Sequence, residues 1–521
     1  VVFPFGHILR LAHAGFVLAR AGVFSDVDIT AMPAAARLPL LLAKLIARRN
    51  KGPSLTALPE AMNRLGPSYV KLGQFLATRP DVVGPSVARH LEDLQDRMPP
   101  FPREVAVATI EAAFGRPIAE IFVSLDEPVA AASIAQVHKG RIKDADGVQD
   151  VAVKVLRPGV ERRFKRDLSD LYYAARLAER WFPESKRLKP VEVVDNWGRT
   201  VRMEMDFRLE AAAASEFAEN VAGDDDFRIP RIYWDYTEKE VLTLEWIDGI
   251  PLSDHAALLA SGYDLRELGR NVIQAFLRHA MRDGLFHADM HRGNLFIDPQ
   301  GRLTAVDFGI MGRLGIKERR YLAEIIFGFI TRNYRRAAEV HFEAGYVPRE
   351  HRIEDFAQAI RAIGEPIHSR TADQISMAKL LTLLFEITAL FDMKIRTELV
   401  LLQKTMVVVE GVGRMLDPRL DIWSAAEPVV RSWIEENLGP KGKLQDAGHA
   451  ITLLAKFAAD LPMTLLRVEH VVAELERMAE EGLELSDSAM DQIGEAEARG
   501  ARLGHYALWL IAGLAALLLL R

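Results

Sequence analysis

Three side chains suited to metal ligation or proton transfer fall within residues 284–309, GLFHADMHRGNLFIDPQGRLTAVDFG. Asp289 and Asn294 stand five apart in a stretch rich in His, Arg and Gly, too polar for a core strand and therefore a loop. Residues 295–297 form a short apolar run, Asp-Pro-Gln-Gly at 298–301 is turn chemistry, and residues 303–306 form a second run, which predicts a β-hairpin with Asp307 at its end. Such a hairpin returns Asp307 beside Asn294. A carboxylate and an amide oxygen meeting at one point is the hard-oxygen ligation that Mg²⁺ prefers when it also holds phosphates. Asp289 is then left free to accept a proton or orient a water.

The elements that must position these groups lie upstream. His287-Ala-Asp289, Asn294 and Asp307-Phe-Gly309 stand in the order of the protein-kinase catalytic loop and metal motif. One Asp-Phe-Gly is common and an Asp in a loop is usually a solvated turn residue, so the weight rests on the joint pattern. Residues 151–156 read as a strand carrying Lys154 in Val-Ala-Val-Lys, the context of the kinase phosphate-binding lysine. Before it, residues 128–138 read as a small-residue loop running into a strand, with a polar turn at 144–147, the spacing of a nucleotide lid. The expected G-x-G-x-x-G is replaced by Ala130, Ala131, Ala132 and Ser133, followed by Ile134, Ala135, Gln136, Val137 and His138. Each added Cβ narrows the approach to phosphate and disfavours positive φ, which puts ordinary ATP geometry in doubt.

Residues 191–220 read as one helix, in which six residues turn Glu204 about a third of a turn from Glu210, so that the two meet different partners. One glutamate is needed to hold Lys154 on the phosphates; without Lys154 the pair would read as a solvated acidic face. Residues 241–247, containing Glu245, read as a strand entering a hinge at Asp248-Gly249, whose backbone would receive an adenine. Residues 265–282 form the helix leading to the catalytic loop. After Gly309 no Ala-Pro-Glu follows, and residues 310–330 contain no Ser or Thr, so Tyr321 alone there carries a phosphorylatable hydroxyl. From residue 321 to 480 the chain reads as helix, interrupted near Pro348, Pro366, Pro418 and Gly439-Pro440.

At 521 residues, 49% apolar and 26% charged, the chain is globular and long enough for two or three domains. A net charge of −6 with no basic stripe interleaved with aromatics argues against a nucleic-acid partner. The absence of cysteine excludes disulfides, thiolate zinc sites, iron–sulfur clusters and thiol nucleophiles. No G-x-G-x-x-G follows a strand, which counts against a flavin enzyme, and the lone Glu365-Pro-Ile-His368 does not make a di-iron site. Residues 1–51 carry seven Lys or Arg against two Asp, and 35–49 form a basic amphipathic helix that packs on a core more often than it lies on a membrane. Residues 506–520, YALWLIAGLAALLLL, are apolar on every face after Arg499 and Arg502 and are expected to be a membrane anchor with the arginines on the cytoplasmic side. No signal peptide with a cleavage site is legible.

Within residues 58–99, read as helices broken at Thr78-Arg-Pro80, lies Lys71-Leu-Gly73-Gln74, where a mid-helix glycine calls for a tight crossing or a function. With Lys71-x-Gly-Gln74, the alanine loop, Lys154, Glu204-x-Asp206, Asp289, Asn294 and Asp307 in this order, the chain resembles the UbiB family of atypical kinase-like proteins of ubiquinone biosynthesis over residues 55–480. The resemblance implies an α+β, bilobal protein-kinase-like fold: a basic segment at 1–54, a helical extension at 55–125, an N-lobe at 126–250, a helix-rich C-lobe at 251–480 and a C-terminal transmembrane helix at 503–521. It implies that Lys71 pairs Glu204 while Lys154 pairs Glu210, that the extension carrying Lys71, Gly73 and Gln74 lies over the active site where a peptide would bind, and that Glu204 and Asp206 are regulatory. It also implies ATP and Mg²⁺ as cofactors, with ATP hydrolysis in support of a membrane-bound quinone-synthesis complex at the bacterial inner membrane. Expected partners are membrane lipid, isoprenoid quinone precursors and other ubiquinone-biosynthesis proteins. A small-molecule or lipid kinase and a non-catalytic nucleotide-sensing scaffold are the competing readings.

Overall fold

Alternation of side chains along one strand decides which face of the upper sheet becomes a site. The computed structural model describes residues 5–23, 57–77, 85–92, 98–181, 189–368 and 397–439, with some positions between them. Helix α1 (Phe5–Ala21) is followed by α2 (Leu58–Leu65), α3 (Pro67–Ala77), α4 (Pro85–Glu92) and α5 (Arg103–Phe114). Strands β1 (Ser124–Ala131), β2 (Ala135–Asp144) and β3 (Gly147–Leu156) precede α6 (Val160–Trp181), α7 (Pro190–Glu204), α8 (Phe207–Asn220), β4 (Phe227–Arg228) and β5 (Val241–Glu245). The sheet runs β1-β2-β3-β5, antiparallel throughout. Val151, Val153 and Val155 of β3 are buried with Ala106 and Ile110 of α5, so the period of two sends Ala152 and Lys154 to the opposite face. The segment at 55–125 therefore divides: α2 to α4 form the extension, and α5 closes the outer face of the sheet.

The lower lobe begins with β6 (Ile250–Pro251), α9 (His255–Ala260) and α10 (Leu265–Arg278), continues through β7 (Leu285–His287), β8 (Leu295–Ile297), β9 (Leu303–Ala305) and β10 (Met311–Arg313), and ends in α11 (Ile316–Ile330), α12 (Tyr334–Glu343), α13 (Ile353–His368), α14 (Thr397–Leu416) and α15 (Ile422–Leu438). Its core joins Val272, Phe276 and Leu277 of α10 to Phe286, Leu295, Leu303 and Val409. The expected hairpin is present, with Leu295 opposite Ala305 and Ile297 opposite Leu303. Asp298 shapes its turn, its Oδ1 accepting from the backbone N–H groups of Gln300 at 3.0 Å and Arg302 at 2.9 Å.

Three local expectations are corrected. The helix expected over 191–220 is two helices, α7 and α8, because Asp206 leaves helical geometry and caps α8 by accepting from Arg208 N. Glu204 and Glu210 diverge at this break rather than by helical phase. The small-residue loop at 128–138 shrinks to residues 132–134, since β1 extends to Ala131 through Val129, Ala130 and Ala131 at exposed or half-buried edge positions. Pro366 lies inside α13 instead of interrupting helix.

The chain divides into two compact units, Val1–Ile434 and Glu435–Arg521. Most of the basic stretch at 35–49 and all of the apolar run at 506–520 lie outside the described residues. Among the described residues no helix is long and apolar enough to cross a membrane.

The hinge closes directly on the hairpin: a Cβ at Gly249 would stand 2.5 Å from the carbonyl oxygen of Ile297, against backbone that cannot step aside. Gly249→Ala is therefore expected to destabilise the protein by about 1–3 kcal/mol, read as a lower denaturant midpoint at unchanged slope.

Candidate nucleotide and metal site

The inward face of β3 presents Lys154, whose Nζ lies 2.9 Å from Glu210 Oε1 and 3.1 Å from Asp307 Oδ1. The two carboxylates outweigh burial and hold the ammonium protonated, its pKa raised. Asp307 sits in the left-handed region at φ 65°, tolerable for Asp and uncommon for any other branched or bulky side chain. Its side chain is half exposed within the cleft; the surrounding protein would raise its pKa, but Lys154 and Lys71 outweigh that and hold the carboxyl well below the usual carboxylate range.

Across the cleft, Asn294 Nδ2 donates to the carbonyl of Asp289 at 3.1 Å, which leaves the amide oxygen as the atom offered to a cation. The backbone N–H of Val306 donates to the Asn294 carbonyl at 2.9 Å, so the hairpin ladder runs to within one residue of Asp307. His287 fixes the catalytic loop from below: its Nε2 donates to Val306 O at 3.0 Å, and its Nδ1 accepts from Asp289 N at 3.1 Å. Those two bonds define a neutral tautomer, and burial lowers its pKa accordingly. The hydroxyl of Thr405 on α14 lies 2.7 Å from Leu401 O of its own helix and 3.0 Å from the Ala288 carbonyl, which brings α14 against the same loop from the helical side.

Over this cleft lies α3. Lys71 Nζ is 2.9 Å from Glu204 Oε2, both side chains largely buried, so the two ion pairs implied by the resemblance are both present. Gln74 lines the same cavity, whereas Gly73 faces away, where a Cβ would meet Leu94 Cδ1 at 2.3 Å and Met62 Sδ at 3.0 Å. The glycine thus serves a tight helix crossing.

Ala130, Ala131, Ala132, Ile134, Ala135 and Val137 line the cavity with Lys154, Glu210, Asp289, Asn294 and Asp307. Ser133, Gln136 and His138 do not. Gln136 and His138 belong to the opposite face of β2: Gln136 bonds both backbone groups of Phe101, at 2.9 and 3.2 Å, and His138 Nδ1 donates to Asp126 O at 2.8 Å. Gln136 anchors the lid to the chain entering α5 and His138 ties β2 to β1, a consequence of period-two alternation that a loop reading of 128–138 hides. Asp206 does not line the cavity either; its carboxylate caps α8 and pairs Arg208. Glu245 reaches the cavity at the hinge with Trp246 and Ile247, but its carboxylate is bound by Arg228 at 2.9 and 3.0 Å, so its oxygens are already committed.

The alanine turn is a closed structure. The N–H of Ala132, the kind of donor a phosphate cradle points at its ligand, donates to Ala135 O at 2.8 Å. The guanidinium of Arg157 donates at 3.1 Å to the carbonyls of both Ala132 and Pro99, pinning the turn to the chain that follows the extension. Sequence reasoning missed Arg157 and the Arg228–Asp298 pair, since their partners are distant carbonyls and carboxylates that no local spacing signals.

A small antiparallel sheet bearing a lysine paired to a helix glutamate, above a loop bearing Asp, Asn and a second Asp, defines a protein-kinase-like fold, and the alanine turn with the overlying extension makes it an atypical one. The ABC1 atypical kinase-like domain model matches residues 93–341, and the UbiB helical domain model matches residues 360–421. The chain is 41% identical over 407 residues to the probable protein kinase UbiB of Marinobacter nauticus, covering 77% of this chain and 74% of that protein. It is 40% identical over 406 residues to the probable protein kinase UbiB of Azotobacter vinelandii, covering 77% and 75%. The chain belongs to the UbiB family. Among solved structures it is similar to the Rv3197–erythromycin complex of Mycobacterium tuberculosis, with a TM-score of 0.51 and 24% identity over 78% of this chain and 98% of that one, a likeness of fold.

Proposed function

We propose that this chain is a membrane-anchored ATPase of the kinase-like type that supports ubiquinone biosynthesis at the bacterial inner membrane, with its two lobes on the cytoplasmic side. The observation that carries the reading is the convergence of Lys154, Asp289, Asn294 and Asp307 on one cavity whose roof is fixed by the Lys71–Glu204 pair. The donor set fits Mg²⁺ and a nucleotide: Asp307 supplies an ionised carboxylate, Asn294 an oriented amide oxygen, and Lys154 a permanent positive charge for phosphate. Bound Mg²⁺ would neutralise charge on the phosphates as the terminal bond breaks. Asp289, held by backbone bonds and not engaged by Lys154, is the group available to orient the attacking water. An anchor at 506–520 would keep the site beside isoprenoid quinone precursors and the other proteins of the pathway.

A second reading, transfer of phosphate to a prenylated small molecule or lipid, draws on the size of the cavity. At about 1970 Å³ it exceeds the roughly 300–1,000 Å³ that one drug-sized ligand fills, and it continues past Met311 along Leu322, Ile326, Phe329 and Phe356. The deciding measurement follows γ-labelled ATP with membrane-bound protein, with and without isoprenoid phenols. Free phosphate as the labelled product supports the ATPase, a labelled phenol supports the kinase, and no turnover by a protein that binds Mg²⁺-ATP leaves a nucleotide-sensing scaffold. Asp289→Asn is expected to retain nucleotide affinity within about threefold and lose turnover by 10²-fold or more.

A further inference from the structure

One ion-pair chain outside the catalytic constellation joins the hinge end of the cleft to the β8–β9 turn. Arg228, at the end of β4, holds Glu245 with a fork, Nη2 to Oε1 at 2.9 Å and Nη1 to Oε2 at 3.0 Å, while its Nε donates to Asp298 Oδ2 at 3.1 Å. Glu245 is the last residue of β5, immediately before Trp246 and Ile247 of the hinge, and its Oε2 also accepts from Arg231 N at 3.1 Å. Asp298 is almost wholly buried and builds the β8–β9 turn, taking Gln300 N, Arg302 N and Arg302 Nε as further donors.

The two short strands leaving that turn end at the metal-binding pair. Asn294 immediately precedes β8, and Asp307 follows β9 by two residues. With three residues in each strand and a complete ladder, the hairpin is about 10 Å of stiff backbone between Asp298 and the metal end. Backbone paths run alongside it: β6 pairs β8 and Gly249 packs on Ile297, which fixes the hinge loop after residue 249, and β4 pairs β9 while Arg231 O accepts from Glu245 N at 2.8 Å. Arg228 adds a side-chain link that spans directly from the Glu245 carboxylate to the Asp298 carboxylate of the turn. A lysine could not do the same, because a point charge engages one carboxylate where the planar fork engages two in fixed directions.

We infer that Arg228 is a positioning residue that couples the nucleotide-base end of the cleft to the metal end, so that occupancy of the hinge sets the orientation of Asn294 and Asp307 toward Mg²⁺. The inference rests on the nucleotide and Mg²⁺ reading of the site. Coupling of this kind is thermodynamic and reciprocal: Mg²⁺ raises nucleotide affinity by the same factor by which nucleotide raises Mg²⁺ affinity. A residue that merely stabilises the fold would weaken both affinities without changing that factor.

The test is a fluorescent ATP analogue titrated into the full chain in detergent or nanodiscs, with Mg²⁺ and with EDTA, for wild type, Arg228→Gln and Arg228→Lys, with circular dichroism as the folding control. In wild type the ratio of the two dissociation constants gives the coupling factor. Arg228→Gln is expected to cut that factor by about tenfold while leaving the metal-free affinity within about threefold. Arg228→Lys is expected to lose most of the factor as well and, if the glutamine variant does not fold, supplies the same comparison. An unchanged factor in the folded variant overturns the inference, as does an equal loss of affinity with and without Mg²⁺. A wild type that binds the analogue with no Mg²⁺ dependence overturns the metal reading and the coupling together, which separates that failure from a failure of Arg228 alone.

Discussion

Replacing Asp307 by Asn is expected to weaken Mg²⁺-dependent nucleotide binding on the order of 100-fold, about 2.8 kcal/mol, with the fold intact. The substitution removes a charge and no volume. Asp307 belongs to no apolar cluster, and Lys154 keeps Glu210 at 2.9 Å, so the ammonium is not stranded. What is lost is the ionised ligand: the wild-type carboxyl, its pKa depressed by Lys154 and Lys71, is charged throughout the neutral range, and an amide at the same place offers only a dipole. The sign for pH follows. A depressed carboxyl keeps its ionised form as pH falls below the ordinary aspartate value of about 3.9, so this ligand is lost only in strong acid. Calorimetric titration of Mg²⁺-nucleotide into the variant checks the assignment, and an affinity equal to wild type would remove Asp307 from the metal site.

Lys71→Ala is expected to release the extension. The Lys71–Glu204 pair is largely buried at 2.9 Å, and removing one partner of such a pair leaves the other carboxylate without its counter-charge in a poorly solvated place, which costs ~3–5 kcal/mol. The loss falls on α3, which the pair ties to the end of α7, and hydrogen exchange should rise in α3 before it rises in the β-sheet. With α3 loosened, the cavity that it roofs opens to larger acceptors, and phosphorylation of the protein itself should become measurable. The control is Lys71→Ala combined with Asp289→Asn, in which the new phosphorylation should vanish. A single variant as silent as wild type while still binding Mg²⁺-ATP, or a double variant equally active, would show that the pair does not restrain the site.

The motif residues and their order could be read along the chain. Asp289, Asn294 and Asp307 were legible because a loop, an Asp-Pro-Gln-Gly turn and two apolar runs are local signals, and local signals survive without knowledge of the fold. Lys154 was legible for the same reason, its strand being bounded by a turn at 144–147. The family, too, was carried by linear motifs. Which side chains of those motifs meet follows from how the elements pack. Gln136 and His138 belong to a recognisable motif yet turn away from the cavity, Gln136 to Phe101 and His138 to Asp126 of β1, because alternation along β2 sends them to the opposite face from Ala135 and Val137. Glu204 and Glu210 find different lysines because Asp206 stops one helix and caps the next, an event decided by its carboxylate accepting from the Arg208 N–H rather than by helical periodicity. Glu245 is drawn to Arg228, and Arg157 to the alanine turn, across separations of 17 and 25 residues. Partners that far apart are chosen by which surfaces pack together, and charge attraction carries no record of distance along the chain.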